Sequence, residues 1–185
     1  FRQLHPEIEL EFVANDRFVS LSKREADLSI TLARPKSGRL ISRKLTDYHL
    51  RLYASREYLA AHTPILSIND LKDHNFISYI DELVPDPQLL YLSDIIANPN
   101  VTLKSSSIVL QFQAALAGAG LSILHCFVAD DYPDLVCLLP EEVEIKRTYW
   151  LNTPEDIHDL ARIKAVSQFL IDVVQRQRKK LLGEP

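Results

Sequence analysis

The stretch ALAGAGLSILHCF, residues 115–127, spends two of the chain's four glycines one residue apart, and no other feature restricts the backbone so tightly. Upstream, Ile108, Phe112, Ala115 and Leu116 fall on one apolar helical stripe, with Ser105, Ser106 and Ser107 available as caps before it. Downstream, residues 121–124 form an apolar run of strand length. A helix must therefore stop and a strand begin within a few residues. Gly118 suits the positive-φ position just past a helix, and Gly120 permits a tight return into the strand. The plain reading of both glycines is a helix stop followed by close helix–strand packing.

The rest of the chain alternates between the same two element types. Glu7, Ile8, Glu9, Leu10, Glu11 and Phe12 alternate acid and apolar side chains, which predicts a strand. Asn15 and Asp16 offer caps to a short helix through residues 21–24, and residues 26–32 read as a second strand. Strand, helix and strand in that order predict a βαβ unit and a parallel sheet. Beyond a turn at 35–38 come strands at 41–45 and 49–54, a helix at 55–61 capped by Ser55, and a helical turn at 67–71. A strand at 76–80, an acidic loop at 81–87, a helix within 89–97 and a strand at 101–104 then precede the glycine corner. After it, strands are expected at 135–140 and 146–151. Thr153, Pro154, Glu155 and Asp156 read as a helix start, and Leu160, Ile163, Ser167, Leu170, Ile171 and Val174 continue its stripe. Arg176, Arg178, Lys179 and Lys180 would sit at its carbonyl end, where positive charge is favoured.

Charge and motifs remove several classes of function. With a net charge of −4 and a pI near 5.9, the chain lacks the basic footprint of a phosphate-neutralising domain, so any contact with nucleic acid belongs to another segment. No run of 18 apolar residues occurs, and FRQLHPEI has none of the sections of a signal peptide; a cytoplasmic location is the expectation. Cys126 and Cys137 are too few for a disulfide scaffold and have no zinc spacing. They are open to two readings, small buried hydrophobes or a redox pair, and no basic neighbour in sequence lowers their pKa. There is no phosphate-binding glycine loop, nucleophile elbow or metal-binding histidine pair, so neither a cofactor nor a metal nor an enzyme is indicated.

Taken in order, FRQLHPEIELEF, READLSITLA, LRLYASREYLAAHTPILSINDLKDHNFISY, AALAGAGLSILHCFVADDYPDLVCLLP and YWLNTPED resemble the effector-binding domain of LysR-type transcriptional regulators over nearly the whole chain. The resemblance implies an α/β fold of two Rossmann-like lobes joined by two crossover segments, like type 2 periplasmic binding proteins, with a small molecule held between the lobes. Residues 1–75 with 152–185 would form the first lobe and 76–151 the second, with crossings near 77–80 and 149–152. It further implies that a strand and most of a helix precede FRQLHPEI, and before them a linker helix and a DNA-binding winged helix-turn-helix. Paired regulatory domains, as homodimer or homotetramer, would use the helix before Gly118 and the edge at 8–12. A solute-binding protein of a transport system shares the fold and is the alternative. The sequence departs from the family at His125, where proline is usual.

Family pocket positions carried onto this chain are Phe18, Thr46, Tyr79 and Asp81. Phe18 reads equally as a packing ring and Asp81 as a solvated acid. Ser106 and Ser107 would aim hydroxyls or backbone N–H groups at an anion, although capping alone accounts for them. His125 and Phe127, leaving the strand after Gly120, are the last two candidates; the histidine reads either as a carboxylate partner titrating near neutrality or as a neutral structural ring. The expected partner is a small effector such as an organic or aromatic acid, tempered by the few cations at these positions.

Overall fold

The computed structural model describes every residue except 15–25, 37, 85 and 185. The chain divides into two compact units, Phe1–Asp47 with Thr148–Lys179 and Tyr48–Arg147 with Lys180–Pro185. Two long strands, β2 (Leu40–Ser55) and β7 (Glu144–Pro154), each contribute to both. The first division, between Asp47 and Tyr48, falls well before the 75/76 boundary read from the sequence. Its cause is that 41–45 and 49–54, expected as two strands, are one. Along β2 the side chains change from half-buried or exposed to almost wholly buried beginning at Tyr48, so the strand leaves one environment for another without interrupting its backbone.

In the second unit β2 pairs antiparallel with β5 (Leu121–His125), Leu50 opposite His125 and Tyr53 opposite Ser122, and with β6 (Leu135–Leu138), Tyr53 opposite Cys137. Strand β3 (Asn75–Ser78) lies parallel to both β4 (Asn100–Lys104) and β5. Ser55 caps α1 (Arg56–Ala61), its hydroxyl accepting the Tyr58 amide at 3.1 Å. The short helices α2 (Leu92–Ile95) and α4 (Cys126–Ala129) flank α3 (Ile108–Leu116) in sequence. The apolar face of α3, Phe112 and Ala115, packs with Tyr53, Ile77, Leu124, Ala129 and Leu135 to make the core.

The glycine corner forms as the sequence predicts. The Gly118 amide donates to the Ala115 carbonyl and the Ala119 amide to the Ala114 carbonyl, a double bond pattern that requires a left-handed residue between; Gly118 has φ +79°. Gly120, at φ +155°, lies so close to β3 that a Cβ there would stand 2.7 Å from the Asn75 carbonyl oxygen. This close approach is the helix–strand packing that the second glycine permits.

In the first unit β1 (Ser29–Thr31) pairs antiparallel with β7, Ile30 opposite Leu151. The expected parallel βαβ unit is not found among the described residues. Residues 8–14 form no strand ladder, although Ile8 and Leu10 are half-buried and Glu9 and Glu11 exposed as the alternation demands. Alternation specifies faces, but a strand also needs a partner for its amides, and Phe12, 89% exposed, has left the pattern. The helix expected to start at Thr153 and Pro154 starts later: those residues end β7, and α5 runs Ala161–Arg176 after a turn. Strand β7 claims the backbone before the cap signal can act. Instead of capping, the Thr153 hydroxyl lies 3.0 Å from His158 Nδ1. The helix that Asn15 and Asp16 were expected to cap lies outside the described residues. The terminal helix α6 (Arg178–Leu181) carries the chain into the second unit, where Leu181 and Leu182 are buried.

Candidate functional site

Because β3, β4 and β5 are parallel, their carboxyl ends share one edge of the second unit, where open α/β sheets bind ligands. Most of the residues singled out from the sequence lie there. Past β4, the Ser105 amide donates to the Ser78 carbonyl at 3.0 Å, which extends the pairing by one residue and places the three serines at the start of α3. Ser107 caps the helix, its hydroxyl accepting the Leu110 amide at 3.4 Å. The Ser105 hydroxyl accepts the Ser107 amide at 3.0 Å, and buried Gln111 reaches back to donate to the Ser105 carbonyl at 3.0 Å. Ser106, half-buried, makes no protein hydrogen bond among the described residues, so its hydroxyl is the one of the three left for a ligand.

Tyr79 follows β3 and is buried edge-to-face against Tyr91, ring centroids 6.4 Å apart. Asp81, exposed at the next turn, pairs with Lys104 Nζ at 3.1 Å. At the end of β5 the His125 ring stacks on Tyr48 at 5.2 Å, 22° from parallel, and Phe127 meets it edge-on at 5.1 Å. Burial pushes the His125 pKa down to about 4, so the ring is neutral at physiological pH; the neutral structural reading fits and the carboxylate-paired, near-neutral titration does not. Thr46 belongs to the first unit, its hydroxyl donating to the Asp47 carbonyl at 2.9 Å. Phe18 lies outside the described residues.

Sequence reasoning missed Tyr48, Lys104 and Gln111 at this edge. Gln111 was legible as a polar residue on an otherwise apolar helical face. Tyr48 was not, because its place depends on β2 passing antiparallel beside β5. Cys126 is buried and Cys137 half-buried, and burial raises both thiols, Cys137 to about 11. They are protonated at neutral pH, which favours the hydrophobic reading over a redox pair. Among the described residues no group of three or more His, Cys, Asp or Glu side chains comes together to hold a metal, and no helix is long and apolar enough to cross a membrane.

The sequence model of the LysR substrate binding domain matches residues 1–175. The chain belongs to that family. Among curated relatives, the regulator CrgA of Neisseria meningitidis serogroup C is 26% identical over 155 residues, covering 79% of this chain and 50% of CrgA. A glycine cleavage system transcriptional activator homolog of Haemophilus influenzae is 25% identical over 185 residues, covering 97% of this chain and 60% of its own length. This LysR-family chain thus spans about half to three-fifths of the relatives it matches. Among solved structures, the CrgA regulatory domain superposes with a TM-score of 0.80 at 23% identity, covering 93% of this chain and 87% of that one. The regulatory domain of Synechocystis CcmR in complex with 2-PG superposes at 0.71 with 22% identity, covering 93% and 86%. The LysR fold is therefore the two-lobed α/β architecture of type 2 periplasmic binding proteins, and the relatives are named as transcriptional regulators rather than transport proteins or enzymes.

Proposed function

We propose that this LysR-family domain senses a small organic acid at the carboxyl edge of its second unit and passes the change to a DNA-binding segment elsewhere in the protein. The family match over residues 1–175 carries this reading. The edge adds the chemistry: the Ser106 hydroxyl and the first amides of α3 suit an anionic group, Lys104 adds a cation balanced by Asp81, and Tyr79, His125 and Phe127 supply flat apolar surface for the ligand's body. The CcmR complex with 2-PG supports a small ligand on this architecture. The family resemblance makes Thr46, and Phe18 outside the described residues, further contact candidates. The effector acts by population shift, altering the arrangement of the regulatory domain only as far as its affinity differs between states. The protein works as a homodimer or homotetramer in the cytoplasm.

A thermal-shift screen of aromatic acids, other organic acids and amino acids tests the reading. One chemical class should raise the melting temperature, since a ligand at 100 times its Kd adds about 2.7 kcal/mol. Ser106→Ala and Tyr79→Ala should each reduce that rise. A rise untouched by either variant moves the ligand away from this edge, and no rise with any class removes the sensing role. The full-length protein should also shift a DNA fragment by gel retardation; failure there would favour a solute-binding role.

A further inference from the structure

Gln111 is 1% exposed on the buried face of α3, a face that otherwise carries Phe112 and Ala115. An amide taken out of water there is costly unless its polar atoms are bonded. Only one end of it is. The Ser105 carbonyl is an acceptor, so the nitrogen must face it, at 3.0 Å, and Oε1 is the open end, without a partner among the described residues. Because Oε1 and Nε2 share one carbon, the oxygen is held at the turn where the three serines lead into α3. The donors of that turn are open as well. The Ser107 and Leu110 amides are taken by the Ser105 and Ser107 hydroxyls, whereas the Ser106, Ile108 and Val109 amides and the Ser106 hydroxyl make no hydrogen bond among the described residues. A group of anion donors thus stands beside a single acceptor that an anion cannot use.

From this we infer that the effector is a 2-hydroxy acid: its carboxylate lies on the Ser106 hydroxyl and the open amides, and its hydroxyl donates to Gln111 Oε1. The inference rests on the carboxyl-edge reading and narrows the class of ligand bound there. Ser105 and Ser106 are consecutive, with Cα atoms about 3.8 Å apart, so the acceptor and the donors suit two groups on neighbouring carbons. A hydroxyl fits this acceptor better than an ammonium does, since a single neutral oxygen replaces little of the hydration that a cation gives up. A simpler role for Gln111 is to fasten the Ser105 turn, with water on its oxygen. That role is blind to the ligand's hydroxyl, so the two part experimentally.

Mandelate and phenylacetate, with lactate and propionate as the smaller pair, test it by ligand-observed NMR titration of the intact chain. In at least one pair the hydroxy acid should bind about tenfold more tightly than its deoxy partner, because the acceptor is left unpaired when the hydroxyl is missing. The O-methyl ether of that hydroxy acid, which keeps the oxygen and loses its proton, should fall to the deoxy acid's level, and the matching amino acid should also trail. Gln111→Leu should bring the hydroxy acid down to its deoxy partner, and Ser106→Ala should weaken both by the same factor. The ligand series needs no variant, so it decides even where Gln111→Leu unfolds. Equal binding within each pair, weakened by Ser106→Ala, overturns the inference and leaves the carboxyl edge as the site. So does an amino acid that binds best, or a preference for the hydroxyl that survives in a folded Gln111→Leu variant. Binding of neither pair, or binding indifferent to both Ser106→Ala and Tyr79→Ala, removes the carboxyl-edge reading and this inference with it.

Discussion

The corner between α3 and β5 and the irregular segment at residues 8–14 are opposite extremes of local specification. In the corner, two amides return to α3 carbonyls and Gly120 rests against the β3 backbone, so one residue type fits. In the irregular segment only Ile8 and Leu10 are half-buried, while Phe12 and Val13 stand 89% and 68% exposed. Backbone contact fixes a conformation absolutely; partial burial of alternate side chains merely biases it. Substitutions in the two places should therefore differ in size by several kcal/mol.

The largest effect belongs to Gly120→Val. Its Cβ would meet the Asn75 carbonyl at 2.7 Å, and a loss of about 3 kcal/mol or more is expected in urea unfolding. Gly118→Ala comes next: its nearest neighbour is the Ser55 hydroxyl at 3.5 Å, so only the left-handed backbone resists, at about 1–2 kcal/mol. Equal losses at the two glycines would mean that crowding against β3 is not what sets them apart. Ser107→Ala should cost about 1 kcal/mol through the lost cap of α3. An acid-only effect follows at His125. Its pKa falls from an ordinary 6.5 to about 4, so the unfolded chain binds a proton in that window that the folded one does not. Stability should decline as the pH drops from about 6.5 to about 4 and level off below, and His125→Phe should flatten that stretch of a melting-temperature profile. Smallest of all, Phe12→Ser should change unfolding by no more than about 0.5 kcal/mol. A larger loss would show that the segment is covered in the protein's assembled form.

The same contrast accounts for what was legible in the sequence. Ser55 capping α1 and Ser107 capping α3 were both readable, because their signals are local and nothing nearby competes for the backbone. Thr153 and Pro154 carried an equally good start signal but were taken by β7, whose sheet neighbours β1 and β2 lie far away in sequence. For the same reason the break between 45 and 49 in β2 did not exist: the strand lies between β7 and β5 in the sheet, and both neighbours are remote in sequence. At the carboxyl edge, Tyr79 came from the family resemblance, Ser106 from its place among the capping serines, and His125 and Phe127 from following the apolar run 121–124. Tyr48 and Lys104 escaped because their roles come from which strands lie side by side, and a single chain's periodicity does not encode neighbour order.

The last residues of the chain also carry a practical consequence. Gly183 presses against Cys126, near enough that a Cβ would lie 2.9 Å from the cysteine's own, and its carbonyl accepts Arg51 Nη1 at 3.2 Å, while Lys180 pairs with Asp131. The second unit is consequently plugged by a peptide that arrives from the far end of the polypeptide. A fragment cut as residues 48–147 would lose its stopper, open a path to the Cys126 thiol and leave Arg51 with Glu144 as its remaining hydrogen-bond acceptor among the described residues. Anyone trimming this domain for binding work should keep residues 180–184 attached, or supply them as a separate peptide.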